Sequence, residues 1–129
     1  MKTVKAFLDT HVILWILNGE ISRLSEKVRQ AIEVDEFLVS PMVSLEITYL
    51  HEVGKIKIDS KSALSEISSK IRCSLAEGDL FEDIMQQALK ITWTRDVFDR
   101  LIVANAQLRQ LPLVTKDSMI RKNYSHCIW

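Results

Sequence analysis

The stretch Val4-Lys5-Ala6-Phe7-Leu8-Asp9-Thr10-His11-Val12-Ile13-Leu14-Trp15 constrains the fold more than any other part of the chain. A short apolar run is cut off by a carboxylate, and apolar residues at helical spacing follow at once. Strand, acid, helix is the predicted order. In open α/β sheets the carboxyl ends of parallel strands border the crevice in which ligands bind, so Asp9 is predicted to stand on that border. Capping explains Asp9 as well, because an Asp at a strand-to-helix junction satisfies the first free N–H groups of the helix, as Thr10 would. Partners elsewhere in the chain decide between the two.

The alternation continues. Thr10 to Leu17 reads as a helix ended by Asn18-Gly19, and Ser25 to Val34 as a second helix capped by Ser25. Phe37-Leu38-Val39 is a short strand, after which Ser40-Pro41 opens a helix that Gly54 closes. Lys55 to Ile58 alternates and reads as a short extended connector. Ser62 to Cys73 carries Leu64, Ile67 and Ile71 on one helical face. Beyond Gly78-Asp79, the residues Phe81, Ile84, Met85, Ala88 and Leu89 mark an amphipathic helix, with Met and Phe as core fillers. Asp96 is placed to cap the strongly apolar helix that runs to Ala106, and to pair with Arg100 four residues on. Leu111 to Thr115 reads as a strand ending in Lys116-Asp117, and His126 to Trp129 as a last short strand. Short apolar strands alternating with helices predict an α/β layered fold with a largely parallel sheet, in a single domain spanning residues 1–129.

Composition excludes several classes. Hydrophobic residues at 47% and charged residues at 26%, with few Gly and Pro, argue against a disordered chain. Lys plus Arg and Asp plus Glu are 17 each, so any attraction to nucleic acid must come from local polarity, not net charge. Cys73 and Cys127 lack metal-ligand spacing and read as reduced thiols of a cytoplasmic protein. Lys2 and Lys5 ahead of an apolar run imitate a secretory leader, but Asp9 and His11 interrupt the run and no cleavage pattern follows. No apolar stretch approaches a membrane span. His51-Glu52-Val53-Gly54-Lys55 begins like a metalloprotease helix and lacks the second His, so no zinc site is expected.

The acids need more explanation. Glu46 lies on or beside the apolar stripe of Val43, Ile47 and Leu50, and a carboxylate turned inward requires a partner, a wet cleft or a metal. Asp99 falls in the first turn of the late helix, and Asp117 repeats the strand-then-acid device of Asp9. Each has a capping or pairing role open to it, yet such roles do not explain why two strand ends carry the same device. If the four converge, their repulsion raises their pKa values and a divalent cation relieves it. Oxygen-only ligands suit Mg²⁺ or Mn²⁺, and a metal-activated water can attack a phosphodiester.

With these segments in view, the chain resembles the PIN domains, and most of all the VapC-like toxins of type II toxin–antitoxin systems. Phe7-Leu8-Asp9-Thr10-His11, the helix bearing Ser44-Leu45-Glu46 with Gly54-Lys55-Ile56 after it, the segment from Arg95 through Asp99 to Ala104, and Leu113-Val114-Thr115-Lys116-Asp117 carry the resemblance in order. It implies an α/β/α sandwich around a five-stranded, mostly parallel sheet. It implies a Mg²⁺- or Mn²⁺-dependent endoribonuclease acting on single-stranded or loop RNA and leaving a 5′-phosphate and a 3′-hydroxyl. Asp9, Glu46, Asp99 and Asp117 match the family's acidic quartet, with Asp9 and Asp99 as direct metal ligands and Asp96 matching a frequent additional acid. Val97 departs from the family, where proline is common. A homodimer and a VapB-like antitoxin that occludes the cleft are implied too, with DNA reached only through the antitoxin.

Several further residues bear on substrate binding. Lys55, Lys57, Arg95, Arg100, Lys116 and Arg121 are cations able to track an RNA backbone, and Thr10 and Thr115 neighbour the acids and can hydrogen-bond phosphate or a metal-bound water, although strand-end threonines are usually structural. His11, His51 and His126 show no nucleophile–base spacing. Trp15, Trp93 and Trp129 can stack bases, although core or dimer packing is the simpler reading. Two rivals remain: a receiver-like phosphoacceptor built on Asp9 and Lys116, which leaves Glu46 and Asp99 unexplained, and a non-catalytic PIN-like binding module.

Overall fold

The computed structural model describes residues 4–129, so Lys2 of the leader-like segment lies outside it. Five strands, β1 (Lys5–Leu8), β2 (Glu36–Val39), β3 (Cys73–Leu75), β4 (Leu113–Val114) and β5 (Cys127–Ile128), form one sheet in the order β3-β2-β1-β4-β5. Every neighbouring pair is parallel, so the sheet is parallel throughout, not mostly so. Parallel strands are covered on both faces and must be apolar on both. Ala6, Phe7 and Leu8 in the central strand, and Leu113 and Val114 beside it, are accordingly fully buried.

Seven helices cover the sheet: α1 (Thr10–Leu17), α2 (Glu26–Val34), α3 (Pro41–Glu52), α4 (Ser60–Lys70), α5 (Phe81–Leu89), α6 (Val97–Arg109) and α7 (Ser118–Asn123). The chain steps outward from β1 through β2 to β3, then returns across the sheet to β4 and on to β5. Right-handed crossovers require the helices of the outward run and those of the return to lie on opposite faces. The contacts follow this division, since α1, α3 and α4 pack on one another and α5 packs on α6, with α3 and α6 also meeting across it. The direction of winding therefore reverses between β1 and β4, and a crevice opens at their carboxyl ends.

Local signals set most of the boundaries. Ser25 accepts from the Val28 N–H at 3.2 Å and Ser40 from the Met42 N–H at 3.2 Å, with Pro41 in the first helical position. Gly54 follows α3 at φ +79, a left-handed conformation that other side chains rarely adopt.

Elsewhere tertiary packing overrides the sequence pattern. The helix expected over Ser62 to Cys73 is Ser60–Lys70, capped by Asp59, and Cys73 opens the edge strand β3. Ile71 and Cys73 continue the helical spacing, while the three-residue strand has no apolar run to announce it. Helix α7, capped by Asp117, was not expected; its six residues contain one buried side chain, Ile120. Lys55 to Ile58 forms bends, and no strand, with Ile56 and Ile58 packed on the core. On α5 only Ile84 and Ala88 are buried; Phe81 is 64% exposed and no core filler. Leu111 to Thr115 contracts to the two paired residues of β4.

Helix α6 is anchored by a polar clasp. The fully buried Asn105 donates Nδ2–H to Asp79 Oδ2 at 3.0 Å, Arg109 Nε–H reaches the same oxygen at 2.7 Å, and Arg109 Nη2–H binds the Glu77 carbonyl at 2.6 Å. This pins the β3–α5 connection to the helix that carries Asp99. Asn105 Oδ1 has no partner among the described residues, so removing Asp79 leaves both of its polar atoms unpaired. Asp79→Ala is expected to lower the unfolding free energy by about 2–3 kcal/mol, measured by urea denaturation. A change within error would show that the clasp holds nothing in place.

Candidate active site

The crevice at the β1/β4 switch is a cleft of about 470 Å³ lined by Asp9, Glu46, Asp96, Asp99 and Asp117, together with His11, Val12, Trp15 and Lys116. Each acid arrives on a different element. Asp9 follows β1, and Asp117 follows β4 by three residues; because Leu8 is registered with Val114, the two strand ends lie side by side. Glu46 is on the inward face of α3 and is buried, as the stripe of Val43 and Ile47 requires. Asp96 and Asp99 come from the start of α6, and Tyr49 against Phe98, with ring centroids 5.8 Å apart, holds that start against α3.

Capping is also observed. Asp117 Oδ1 accepts from the Ile120 N–H at 2.9 Å, Asp96 Oδ1 from the Asp99 N–H at 3.0 Å, and Asp9 Oδ1 from the Thr10 N–H at 2.8 Å. The same residues cap helices and line the cleft, so the two readings of Asp9 were never exclusive.

Two buried hydroxyls orient the deepest acids. Thr115 Oγ1–H donates to Asp9 Oδ2 at 2.7 Å and accepts from the Asp117 N–H at 3.1 Å. Thr10 Oγ1–H donates to Glu46 Oε1 at 2.5 Å. Of the ligand-facing and structural roles open to Thr10 and Thr115, burial favours the structural one, because both are fully buried with their hydroxyl protons committed to carboxylates. They act on the acids, not on a ligand. A threonine next to an acid at each of two strand ends was the available signal.

The proposed cations also separate. Lys116 lines the cleft. Arg100 turns away to donate to the Ala88 carbonyl at 3.1 Å, which corrects both its pairing with Asp96 and its place beside substrate: the helix presents that face to α5. Arg95 donates to the Thr92 carbonyl at 3.0 Å and does not line the cleft. Lys55 and Lys57 line a different depression, beside Leu14 and Ile56. All three tryptophans pack partly against the core; Trp15 also lines the cleft, and Trp129 packs on Trp15.

No cation among the described residues forms an ion pair with the acids. The ion pairs among the described residues, Lys5–Glu36, Arg23–Glu20 and Arg109–Asp79, include none of the five. The carboxyl of Asp99 accepts no hydrogen bond from a described residue. Burial, and then the charges of Asp96, Asp9, Asp117 and Glu46, push Asp99 up to about 7. Burial raises Asp9 despite the Thr115 hydrogen bond, and raises Glu46 despite that of Thr10.

An all-oxygen donor set with excess negative charge fits a hard divalent cation. Among the described residues no three His, Cys, Asp or Glu side chains gather tightly enough to hold an ion by themselves. The fit is therefore to an ion that keeps several waters, held directly by one or two carboxylates, as Mg²⁺ is.

A family model for the PIN domain matches residues 6–125. The chain belongs to the PIN domain family. No protein of curated function matches it in sequence. Two solved structures share this PIN fold at low identity. A toxin–antitoxin complex from Klebsiella pneumoniae aligns with a TM-score of 0.63 and 17% identity over 96% of each chain. VapBC2 from Rickettsia felis, bound to a DNA fragment from their promoter, aligns with a TM-score of 0.68 and 15% identity over 98% of each chain. The phosphoacceptor alternative is set aside by the family match.

The raised carboxyls carry a pH signature. The native protein keeps its protons to higher pH than the unfolded chain, so metal-free stability is fullest below the ordinary Asp value of 3.8 and is lost as pH climbs through about 7. In chelator, the thermal midpoint is expected to fall steadily across that window. Asp99→Asn is expected to flatten much of the fall and to raise the midpoint near pH 7.5 (roughly the upper end of the window). A midpoint unchanged or lowered by this substitution would mean that Asp99 is not held under repulsion.

Proposed function

We propose that this PIN domain is a metal-dependent endoribonuclease, the VapC-like toxin of a toxin–antitoxin pair. The observation that carries the reading is the gathering of Asp9, Glu46, Asp99 and Asp117 in one cleft at the switch point, with none of them in an ion pair to a described residue. Asp9 and Asp99 are the direct ligands in this reading, with Glu46 and Asp117 acting directly or through water and Asp96 adding charge. Mg²⁺ or Mn²⁺ held there supplies positive charge for the phosphate and lowers the pKa of a bound water.

The chain's own residues do the rest. Thr115 fixes the Asp9 carboxylate through Oδ2, and Thr10 fixes Glu46 through Oε1, so neither acid has to reorganise when substrate arrives. Asp99, free of hydrogen bonds from described residues, offers its oxygens to the cleft. Lys116 at the rim attracts the phosphate backbone.

A homodimer and an antitoxin partner belong to the same reading, and apolar surface supports a protein partner. Leu45, Tyr49 and Val53 are exposed at four-residue spacing along α3 and its C-cap, and Val97 is exposed at the start of α6, which packs on α3. The toxin–antitoxin complexes that share the fold support the antitoxin. A small adjacent gene encoding it is expected, and the cytoplasm is the expected compartment.

Asp99→Asn is expected to cut Mg²⁺-dependent cleavage of single-stranded RNA by at least about a hundredfold while the fold stands. Chelator should silence the wild-type protein, and Mg²⁺ or Mn²⁺ should restore it. Undiminished cleavage by Asp99→Asn, or by chelated protein, would overturn the assignment. Thr115→Val should weaken Mg²⁺ binding by roughly ten- to a hundredfold in calorimetry by releasing Asp9. Wild-type affinity in that variant would show that the hydroxyl has no part in positioning the ligand.

A further inference from the structure

One wall of the cleft is aromatic, and the acid chemistry makes no use of it. Trp15 lies on α1 six residues beyond Asp9, about 9 Å along the helix axis, and lines the same cleft. Its indole is partly exposed and is braced edge-on by Trp129, with ring centroids 6.2 Å apart at 62°. Two cations sit over it: Lys116 Nζ at 5.8 Å and the Arg23 guanidinium at 5.6 Å from the ring centroid. Glu20 pairs with Arg23 and holds it there.

Trp15 packs partly against the core, but filling the core does not call for a ring that also lines a cleft of five carboxylates, nor for two flexible cations over it. A polyanion approaching these acids is repelled, so it needs an anchor beside them. An aromatic face supplies sequence-tolerant stacking energy and the cations supply phosphate contacts.

We propose that Trp15, with Lys116 and Arg23 over its ring, is a nucleobase platform that stacks the base flanking the reacting phosphate. It rests on the ribonuclease reading and adds a requirement to it: the substrate must present an unstacked base at this point. Base-paired helical RNA cannot do so and is refused. Asp9 caps the helix that carries Trp15, so one rigid element sets the distance between the stacked base and the acids. Lys116 and Arg23 leave the ring for the neighbouring phosphates when the base arrives. Trp15 is thus a positioning and specificity residue, not a catalytic one.

The test pairs Trp15→Leu, which keeps apolar bulk without a π face, with Trp15→Phe, which restores one. Binding is read in chelator by fluorescence anisotropy of labelled decauridylate, and folding by circular dichroism and thermal midpoint. Trp15→Leu should weaken binding about tenfold, with Trp15→Phe recovering most of it. Lys116→Ala, at an exposed position, should lower the slope of log affinity against log salt by about one. In Mg²⁺, a single abasic substitution beside the cut should slow the wild-type protein about tenfold and cost Trp15→Leu nothing further.

Equal binding by Trp15→Leu and wild type, equal losses in the Leu and Phe variants, or an abasic penalty unchanged in Trp15→Leu would each overturn the platform. If Trp15→Leu does not fold, the Phe variant, Lys116→Ala and the abasic scan decide, and an unchanged salt slope counts against it. Failure of the ribonuclease reading is separable. In that case the wild type does not cleave, or Asp99→Asn cleaves as well as it does, and anisotropy alone decides whether Trp15 stacks a base.

Discussion

Carboxylates gathered in one cleft without an ion pair, with Asp9 and Glu46 buried, are the condition on which the rest of this PIN domain turns. Such groups repel one another and lose hydration, so a fold that gathers them must hold them by other means. Here hydrogen bonds and helix ends do the holding. Three helices, α1, α6 and α7, begin at Asp9, Asp96 and Asp117, and the partial positive charge at each N-terminus offsets part of the excess. For Asp96 and Asp117 one carboxylate oxygen caps the helix and the other is left over. Asp9 uses both oxygens, but each keeps a second lone pair. Capping and cleft-facing are therefore one arrangement, in which the caps are the means by which the charges are tolerated.

Topology explains why residues from the beginning, middle and end of the chain meet. Winding reverses between β1 and β4, and only there do two adjacent strand ends lack a crossover packed against them. The acids that need the most exact placement, Asp9 and Asp117, follow β1 and β4, adjacent strands each paired on both sides. Glu46 and Asp99 ride on helices that pack on each other, with Tyr49 and Phe98 as the contact. The anchor of α6 at Asp79 lies at the far end of the helix from Asp99. A helix clamped at one end by hydrogen bonds and at the other by aromatic packing has little freedom to let its first turn swing.

The cleft was legible in the sequence because its acids interrupt apolar patterns. A carboxylate ending a strand, or sitting on an apolar helical stripe, violates local expectation, and that violation is visible without coordinates. Edge strand β3 left no such mark: three half-covered residues after a helix merely extend the helical spacing of Ile67 and Ile71. Helix α7 was hidden for a related reason, since a six-residue helix with one buried side chain has no periodicity to detect. The roles of Thr10 and Thr115 stay open in the sequence because a hydroxyl beside an acid is equally able to face ligand or protein. Only burial distinguishes the two. Arg100 was misplaced because a helix face is assigned by its neighbours in space, and α5 claims that face through the Ala88 carbonyl.

The whole-chain charge sums to zero, yet that figure says little about what the surface attracts. Five acids line one cleft, and two cations, Lys116 and Arg23, are gathered over Trp15 in its wall. This polarisation within a neutral total suits a polyanion held at its flanks while one phosphate is brought to a cation in the middle. A uniformly basic cleft would bind the polyanion more tightly but would give that cation no acids to sit among. A uniformly acidic one would hold the cation and repel the chain. The two demands conflict at any single point, and they are met by separating them along α1, with Asp9 at its start and Trp15 near its end.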